Sequence, residues 1–363
     1  MERRFDSTIL LLAVALTCLG VVMVYSSSSI MAAKRYGDGF FFLKRQGLYA
    51  VGGFLLMAAL MRLDYHHLRP LAVPAFLGCM VLLVAVLIPG IGSHAGGASR
   101  WIRMPGFKVQ PAELAKLGLV LYMAYSLSKK GEKIKSFKLG FTPYMVVLAV
   151  LLLLLLLQPD LGSAITLALV AVVMMLVAGT RVTYVASMGI LALPFLYYAV
   201  MNVDYRRRRI LAFLNPWEDP TNTGFQIIQS WIAVGTGGIF GNGLGEGKQK
   251  LFYLPEAHTD FIFSVIGEEL GFVGVLVVTA MFLVLILRGV RTALGAPDDF
   301  GRYLAFGVTL LLGMQAFVNI AVVLGLLPTK GLALPFVSYG GTCLITTLAA
   351  VGILLNVSSQ ATG

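Results

Sequence analysis

The segment Leu254-Pro255-Glu256-Ala257-His258-Thr259-Asp260-Phe261-Ile262-Phe263-Ser264 is where a long polar stretch gives way to an apolar one, which continues to Leu287 broken only by Glu268-Glu269. A continuous apolar run of that length reads as a membrane-spanning helix. A barrel strand would be shorter and would alternate, and lipid offers no partner to an open backbone. Composition agrees: 58% of residues are hydrophobic, 12% are charged and the mean hydropathy is +0.86, whereas charge makes up about a quarter of a soluble domain. His258 and Asp260 stand at the mouth of this span, with Glu256 just ahead. A carboxylate there is costly to desolvate, which marks a functional candidate. The plainer reading is a helix N-cap, with Thr259 or Asp260 accepting from the free N–H groups of the first turn.

Working outward, ten apolar runs follow one another: 8–26, 46–61, 71–89, 112–127, 141–157, 161–179, 183–201, 261–287, 303–324 and 342–357. The first follows Glu2-Arg3-Arg4 and has no small-residue cleavage site near its end, so it reads as a retained span rather than a signal peptide. The expected fold is all-α and polytopic, a single domain over 1–363, with a large loop at 202–260 between spans seven and eight. An even number of spans leaves both termini on one side. Basic residues divide almost evenly between the two sides until the long loop is set aside. The short loops then favour a cytoplasmic N-terminus, which puts Asp260 outside. Cys18, Cys79 and Cys343 lie in or beside apolar runs, and His66, His67, His94 and His258 make no zinc-type spacing, so neither a disulfide framework nor a metal centre is expected.

Basic residues on the outer side work against insertion and need another reason. For the run Arg206-Arg207-Arg208-Arg209 an anionic ligand such as a phosphate-bearing lipid is favoured. For 34–45, beside an interfacial helix, ordinary anionic headgroups serve equally well.

Two turns repeat one device: Gln110-Pro111-Ala112-Glu113-Leu114-Ala115-Lys116 and Gln158-Pro159-Asp160-Leu161-Gly162-Ser163. Proline suits a first helical turn, an acid there complements the helix dipole, and Glu113 and Lys116 share a helical face. Capping explains either acid alone. Glu113, Asp160, Asp260 and Lys116 at one depth point instead to a shared polar cavity. In the long loop, 224–231 reads as a short amphipathic helix. The glycines from Gly235 to Gly247 are able to wrap a phosphate with backbone N–H groups, although no strand precedes them and a flexible loop is the plainer reading. The stretch 327–341 is broken by proline and glycine at membrane depth, which is tolerated only against protein or a wet cavity. Lys330 and Ser338 are its candidate substrate contacts.

His258-Thr259-Asp260-Phe261-Ile262-Phe263, Gly267-Glu268-Glu269-Leu270-Gly271, the two Gln-Pro-acid turns, Gly224-Phe225-Gln226 with Gln229-Ser230, and Pro335-Phe336-Val337-Ser338-Tyr339-Gly340-Gly341 closely resemble the SEDS family, which comprises RodA, FtsW and SpoVE. The motifs occur in order over essentially the whole chain. The short N-terminus and lack of a long C-terminal tail resemble the RodA subgroup, while Pro328-Thr329-Lys330-Gly331 also occurs in FtsW sequences. The resemblance implies a ten-span peptidoglycan glycosyltransferase of the bacterial inner membrane that polymerises lipid II, an undecaprenyl-diphosphate-linked disaccharide peptide. A class B penicillin-binding protein and other elongation-complex membrane proteins would be partners, and nucleic acid would not. It maps the family's essential aspartate onto Asp260, its acid and lysine of span four onto Glu113 and Lys116, and its spaced basic pair onto Arg207 and Arg209.

The chemistry suits these residues. An α-linked donor and a β-1,4 product require inversion, hence a base for the acceptor hydroxyl and cations for the departing diphosphate. No carboxylate nucleophile is needed. Asp260 is expected to be the base, with His258 the alternative. Arg207, Arg209 and Lys116 would neutralise the diphosphate, with room for a divalent cation (Mg or Mn) and no organic cofactor, and Glu113 would hold Lys116 or the acceptor sugar. Two other classes stay open on the sequence: a lipid II flippase, since transporters also use intramembrane acids and broken helices, and a non-catalytic scaffold.

Overall fold

The computed structural model describes residues 5–95, 98–104, 107–222, 224–248, 257–329 and 331–361. Glu256, Lys250 and Lys330 lie outside that set. In chain order the helices are α1 (Ser7–Tyr36), α2 (Phe41–Arg62), α3 (Leu68–Leu87), α4 (Pro111–Lys130), α5 (Thr142–Leu157), α6 (Leu161–Val177), α7 (Val182–Met201), α8 (Asp204–Leu214), α9 (Phe225–Thr236), α10 (Ile262–Gly295), α11 (Asp299–Val323) and α12 (Gly341–Gln360). Ten of them fall on the ten apolar runs, and α8 and α9 lie in the long loop. Among the described residues, six helical segments are long and apolar enough to cross a membrane. The polar α4 is not one of them, yet it is among the most buried helices and packs between α3 and α11. Its polar groups therefore face protein rather than lipid. This is a multi-pass membrane protein.

The helix ends show why the elements begin and stop where they do. Asp6 caps α1 by accepting from the Thr8 and Ile9 N–H groups, and its other oxygen lies 2.7 Å from the Arg288 guanidinium on α10. The first run was expected to end near Ser26, but α1 continues to Tyr36. The buried hydroxyls of Ser27 and Ser28 donate to the Met23 and Val24 carbonyls one turn back, so serine costs the helix little at this depth. No separate interfacial helix forms at 34–45. Lys34 and Arg35 end α1, a turn follows, and Lys44 near the start of α2 pairs with Asp38 at 2.8 Å.

Between α3 and α4 the chain forms an antiparallel sheet of β1 (Gly92–Ala95), β2 (Ala98–Met104) and β3 (Phe107–Val109). Its short, basic strands carry no alternation that sequence reading could use. The sheet is pinned to the bundle by Thr342, whose hydroxyl donates to the Lys108 carbonyl at 3.2 Å and accepts from the Gln110 N–H at 3.1 Å. Arg100 adds bonds to the Gln158 and Pro159 carbonyls.

The helix α10 is two helices spliced at Gly271, whose φ of 66° lies in the left-handed region open to glycine. The glycine-rich stretch crosses this break. Asn242 and Gly243 N–H donate to the Glu268 and Glu269 carbonyls at 3.0 and 3.1 Å, and Gly238 and Ile239 carbonyls accept from Phe272 and Val273 N–H at 2.9 and 3.1 Å. Backbone groups freed by the break thus find partners, as they must at membrane depth. The buried Glu268 and Glu269 carboxylates accept from Lys248 N–H at 2.6 Å and Gly245 N–H at 3.1 Å, and Ser26 donates to Glu269 at 2.7 Å. The glycine run is therefore bonded into the fold: the Gly245 amide holds the Glu269 carboxylate, and the Asn242 and Gly243 amides hold carbonyls of α10.

Candidate active site

The site is organised by residues 257–262 and the irregular stretch 324–340, which bind one another. Ser338 is the clip. Its hydroxyl donates to the Thr259 carbonyl at 2.6 Å and accepts from Leu334 N–H at 2.8 Å, while Tyr339 N–H donates to the His258 carbonyl at 2.9 Å. With its hydroxyl committed to backbone on both sides, Ser338 shapes the site from beneath. Gln46 of α2 donates to the Ser338 carbonyl at 3.2 Å. Gly20 of α1 lets this stretch approach, since a β-carbon there would meet the Phe336 carbonyl at 2.5 Å. Phe336 itself holds a φ of 65°, a strained value for a bulky residue.

Asp260 does not cap α10. The cap position is Phe261, whose own side chain makes no capping bond. The plain N-cap reading of Asp260 therefore fails. Asn319, near the C-terminal end of α11, donates from one amide nitrogen to the Asp260 carbonyl at 2.9 Å and to the Leu332 carbonyl at 2.6 Å. The Asp260 carboxylate lies over Gly331, where a β-carbon would stand 2.9 Å from Oδ2. Sequence reading missed Asn319. The available signal was a pair of amides, Gln315 and Asn319, one turn apart within an apolar span.

His258 is buried, its ring 4.7 Å from that of Phe42 and 5.6 Å from that of Tyr339. Its side chain and that of Thr259 face a cleft of about 670 Å³ between α2 and the sheet. Arg207 and Arg209 lie on α8, where the sequence suggested loop. Residues two apart do not share a helical face, so the two side chains leave α8 in different directions. Arg209 donates to the Thr329 carbonyl at 3.0 Å, and Arg207 is exposed.

Of the four groups expected to share a cavity, Glu113 and Lys116 are in direct contact. Lys116 and Glu113 make an ion pair of 2.7 Å with side chains 2% and 9% exposed, closed in by α11 and α12. The space beside them is about 10 Å³, room for one water at most. Asp160 does cap: its carboxylate takes Ser163 N–H at 3.1 Å and Ser163 hydroxyl at 2.8 Å at the start of α6. Both acids thus have structural partners. Among the described residues, no three His, Cys, Asp or Glu side chains group as a metal site.

The chain matches the FtsW/RodA/SpoVE model, described as cell cycle protein, over residues 6–363. A probable peptidoglycan glycosyltransferase FtsW from Geobacter metallireducens is 68% identical over 360 residues, which is 99% of this chain and 96% of that protein. Among solved structures, a chain described under structural coordination of polymerization and crosslinking by a peptidoglycan synthase complex superposes with a TM-score of 0.80 at 33% identity, covering 98% of this chain and 97% of that one. The rod shape determining protein RodA of Thermus thermophilus gives a TM-score of 0.73 at 30% identity, covering 99% of this chain and 98% of its own.

Proposed function

The chain belongs to the FtsW/RodA/SpoVE family, and from that premise we propose that it is a peptidoglycan glycosyltransferase polymerising lipid II into β-1,4 glycan with inversion. The observation that carries this is 68% identity, over 99% of the chain, to a relative named as that enzyme. The site geometry supports it. Asp260 is fixed through its own backbone by Asn319, its neighbour His258 faces a cleft, and cations stand nearby. In the step itself the acceptor 4-hydroxyl oxygen bonds to the donor anomeric carbon while the bond from that carbon to the diphosphate breaks. The hydroxyl proton passes to Asp260, and undecaprenyl diphosphate departs. Arg209 and Arg207 neutralise the diphosphate, with Lys116 contributing once the bundle admits substrate beside it. No step is routed through a divalent cation.

Identity over nearly the whole chain to a relative named FtsW favours a role in division over the RodA-type role in elongation. The likeness to a chain of a peptidoglycan synthase complex supports a crosslinking partner, which we read as a transpeptidase of the class B penicillin-binding type. The setting is the bacterial inner membrane, with both termini cytoplasmic and the Asp260 end outside.

The test is incubation of purified protein with lipid II, with and without the cognate transpeptidase, for wild type and Asp260→Ala, after a thermal-shift check of folding. Long glycan from wild type alone is expected. No polymer from either, with partner and Mg supplied, sinks the polymerase reading, and scrambling of labelled lipid in vesicles would then point to a flippase.

A further inference from the structure

An inverting displacement is in line: the acceptor oxygen enters the anomeric carbon from the side opposite to the departing diphosphate. The base and the cation that receives the diphosphate must therefore stand at a set separation, and an error of about 1 Å costs on the order of a hundredfold in rate. Here the two come from different parts of the chain, Asp260 from the mouth of α10 and Arg209 from α8. What joins them is the segment that carries Thr329, Gly331 and Leu332. Arg209 donates to the Thr329 carbonyl at 3.0 Å, and the Asp260 carboxylate lies over Gly331. A guanidinium carries five donors, so holding a carbonyl and meeting a phosphate are compatible. The tie between this segment and the base is Asn319 of α11, whose amide nitrogen donates to the Leu332 carbonyl at 2.6 Å and the Asp260 carbonyl at 2.9 Å. We propose that Asn319 is a positioning residue for the reaction: its two N–H groups set the separation between the base and the cation for the leaving group, while Asn319 itself stays out of contact with substrate. The proposal rests on the polymerase reading above.

Three observations carry it. First, the place demands this kind of side chain. Going from His258 to Asp260, the base segment meets the irregular stretch in antiparallel order: the His258 carbonyl takes Tyr339 N–H, the Thr259 carbonyl takes the Ser338 hydroxyl, and Asp260 is joined to Leu332. At this last rung the two backbones present carbonyl to carbonyl, and two acceptors bond only through a donor with two hydrogens between them. A primary amide supplies that donor without adding a charge, and with carbonyls as both neighbours it is the nitrogen that faces them. Second, the residue serves this contact at the expense of its other end. Asn319 is 2% exposed, and its Oδ1 has no hydrogen-bond partner among the described residues. An orphaned buried acceptor destabilises a fold, so it asks for a functional reason. Third, the amide is delivered from a rigid support. Val318 and Val322, flanking Asn319 on α11, pack with Leu332 in a small buried cluster. Leu332 is thus held by its side chain as well as its carbonyl, and the last rung belongs to a packed helix rather than to a loop.

The test compares wild type, Asn319→Leu and Asn319→Gln as full chains in nanodiscs. It reads kcat and KM for lipid II, together with amide hydrogen exchange in the segments 257–264 and 331–337. Asn319→Leu removes both donors at similar volume. Its kcat should fall about a hundredfold with KM within about threefold. Both segments should exchange at least tenfold faster, while exchange in α4 and α12 stays as in wild type. Asn319→Gln keeps both donors but sets them one methylene further from α11. It should protect both segments nearly as wild type does and still lose at least tenfold in kcat, because the rung is closed at the wrong separation. A residue needed only for folding would regain activity along with protection, so wild-type kcat in Asn319→Gln overturns the proposal. So does an Asn319→Leu variant whose kcat stays within about threefold of wild type. Combining Asn319→Leu with Gly331→Ala, which displaces the same carboxylate, should give a kcat within about threefold of the worse single variant, whereas losses that multiply show Asn319 acting elsewhere and overturn it too. Faster exchange of both segments in Asn319→Leu, in a protein whose wild type makes no glycan, leaves the tie standing and removes the polymerase reading alone.

Discussion

The Glu113–Lys116 pair allows structure and function to be separated in one experiment. At 2.7 Å, with side chains 9% and 2% exposed and room beside them for a single water, neither charge has another route to solvation. Removing one partner from a buried pair leaves the other charge uncompensated, at about 3–5 kcal/mol. That is roughly a hundred- to several-thousand-fold in the folding equilibrium, at about 1.4 kcal/mol per factor of ten. Lys116→Met and Glu113→Leu should each lose this much. The double variant replaces both charges with apolar groups of similar volume and should fall within about 1 kcal/mol of wild type, giving a coupling energy of about 3 kcal/mol or more. The assay is unfolding in detergent followed by helix signal, for the four members of the cycle. Glycan synthesis by the stable double variant then reads the functional part. Because Lys116 is proposed to meet diphosphate, the double variant should be folded and inactive. Additive losses would refute the coupled pair, and wild-type synthesis by the double variant would refute the substrate role.

Two further outcomes follow from the geometry. Gly331→Ala places a methyl group 2.9 Å from Asp260 Oδ2, on an exposed backbone position. It should lower kcat about a hundredfold by displacing the carboxylate while changing the unfolding midpoint little, and unchanged turnover would remove Asp260 from the reaction. At the opposite end of the bundle, burial pushes the Asp64 carboxyl up, but bonds from His66 N–H, the His66 ring and Gln360 outweigh it and hold the group to about 2. A lowered value stabilises the fold fully above the ordinary carboxylate range near 3.9 and progressively less as pH falls toward the folded value. Asp64→Asn should therefore lose a constant increment of stability at pH values of about 5.5 and 7.5 and a smaller one near 3; a gap that widens on acidification contradicts the assignment.

The ten spans were legible because transfer into lipid is a local property, summed over a window that the sequence displays. So were the short helix that became α9 and the broken stretch at 327–341, since proline and glycine act on their own backbone. What escaped was long-range. Nothing near Asn319 says that its amide reaches Asp260, fifty-nine positions away. The glycine run had donors in plain view, but the groups they serve, Glu268 and Glu269, are known only once α10 breaks beside them. The three acids looked alike in sequence, each at a helix start, yet the fold gives them different work. Asp160 caps, Glu113 pairs with Lys116, and Asp260 lies over Gly331. The sheet carrying Arg103 and Lys108 was hidden because strands this short hold too few residues for a period to show.

The splice at Gly271 also bears on how the chain tolerates changes in length. Two amides from the glycine run enter one half of α10 and two carbonyls receive the other half, in fixed order. Adding or deleting one residue between Gly238 and Gly243 would bring one of these pairs out of phase with the other, stranding backbone groups where water is scarce. This part of the long loop therefore behaves as a gauge block rather than a tether. Its sequence has latitude wherever glycine is not required, but its residue count has none.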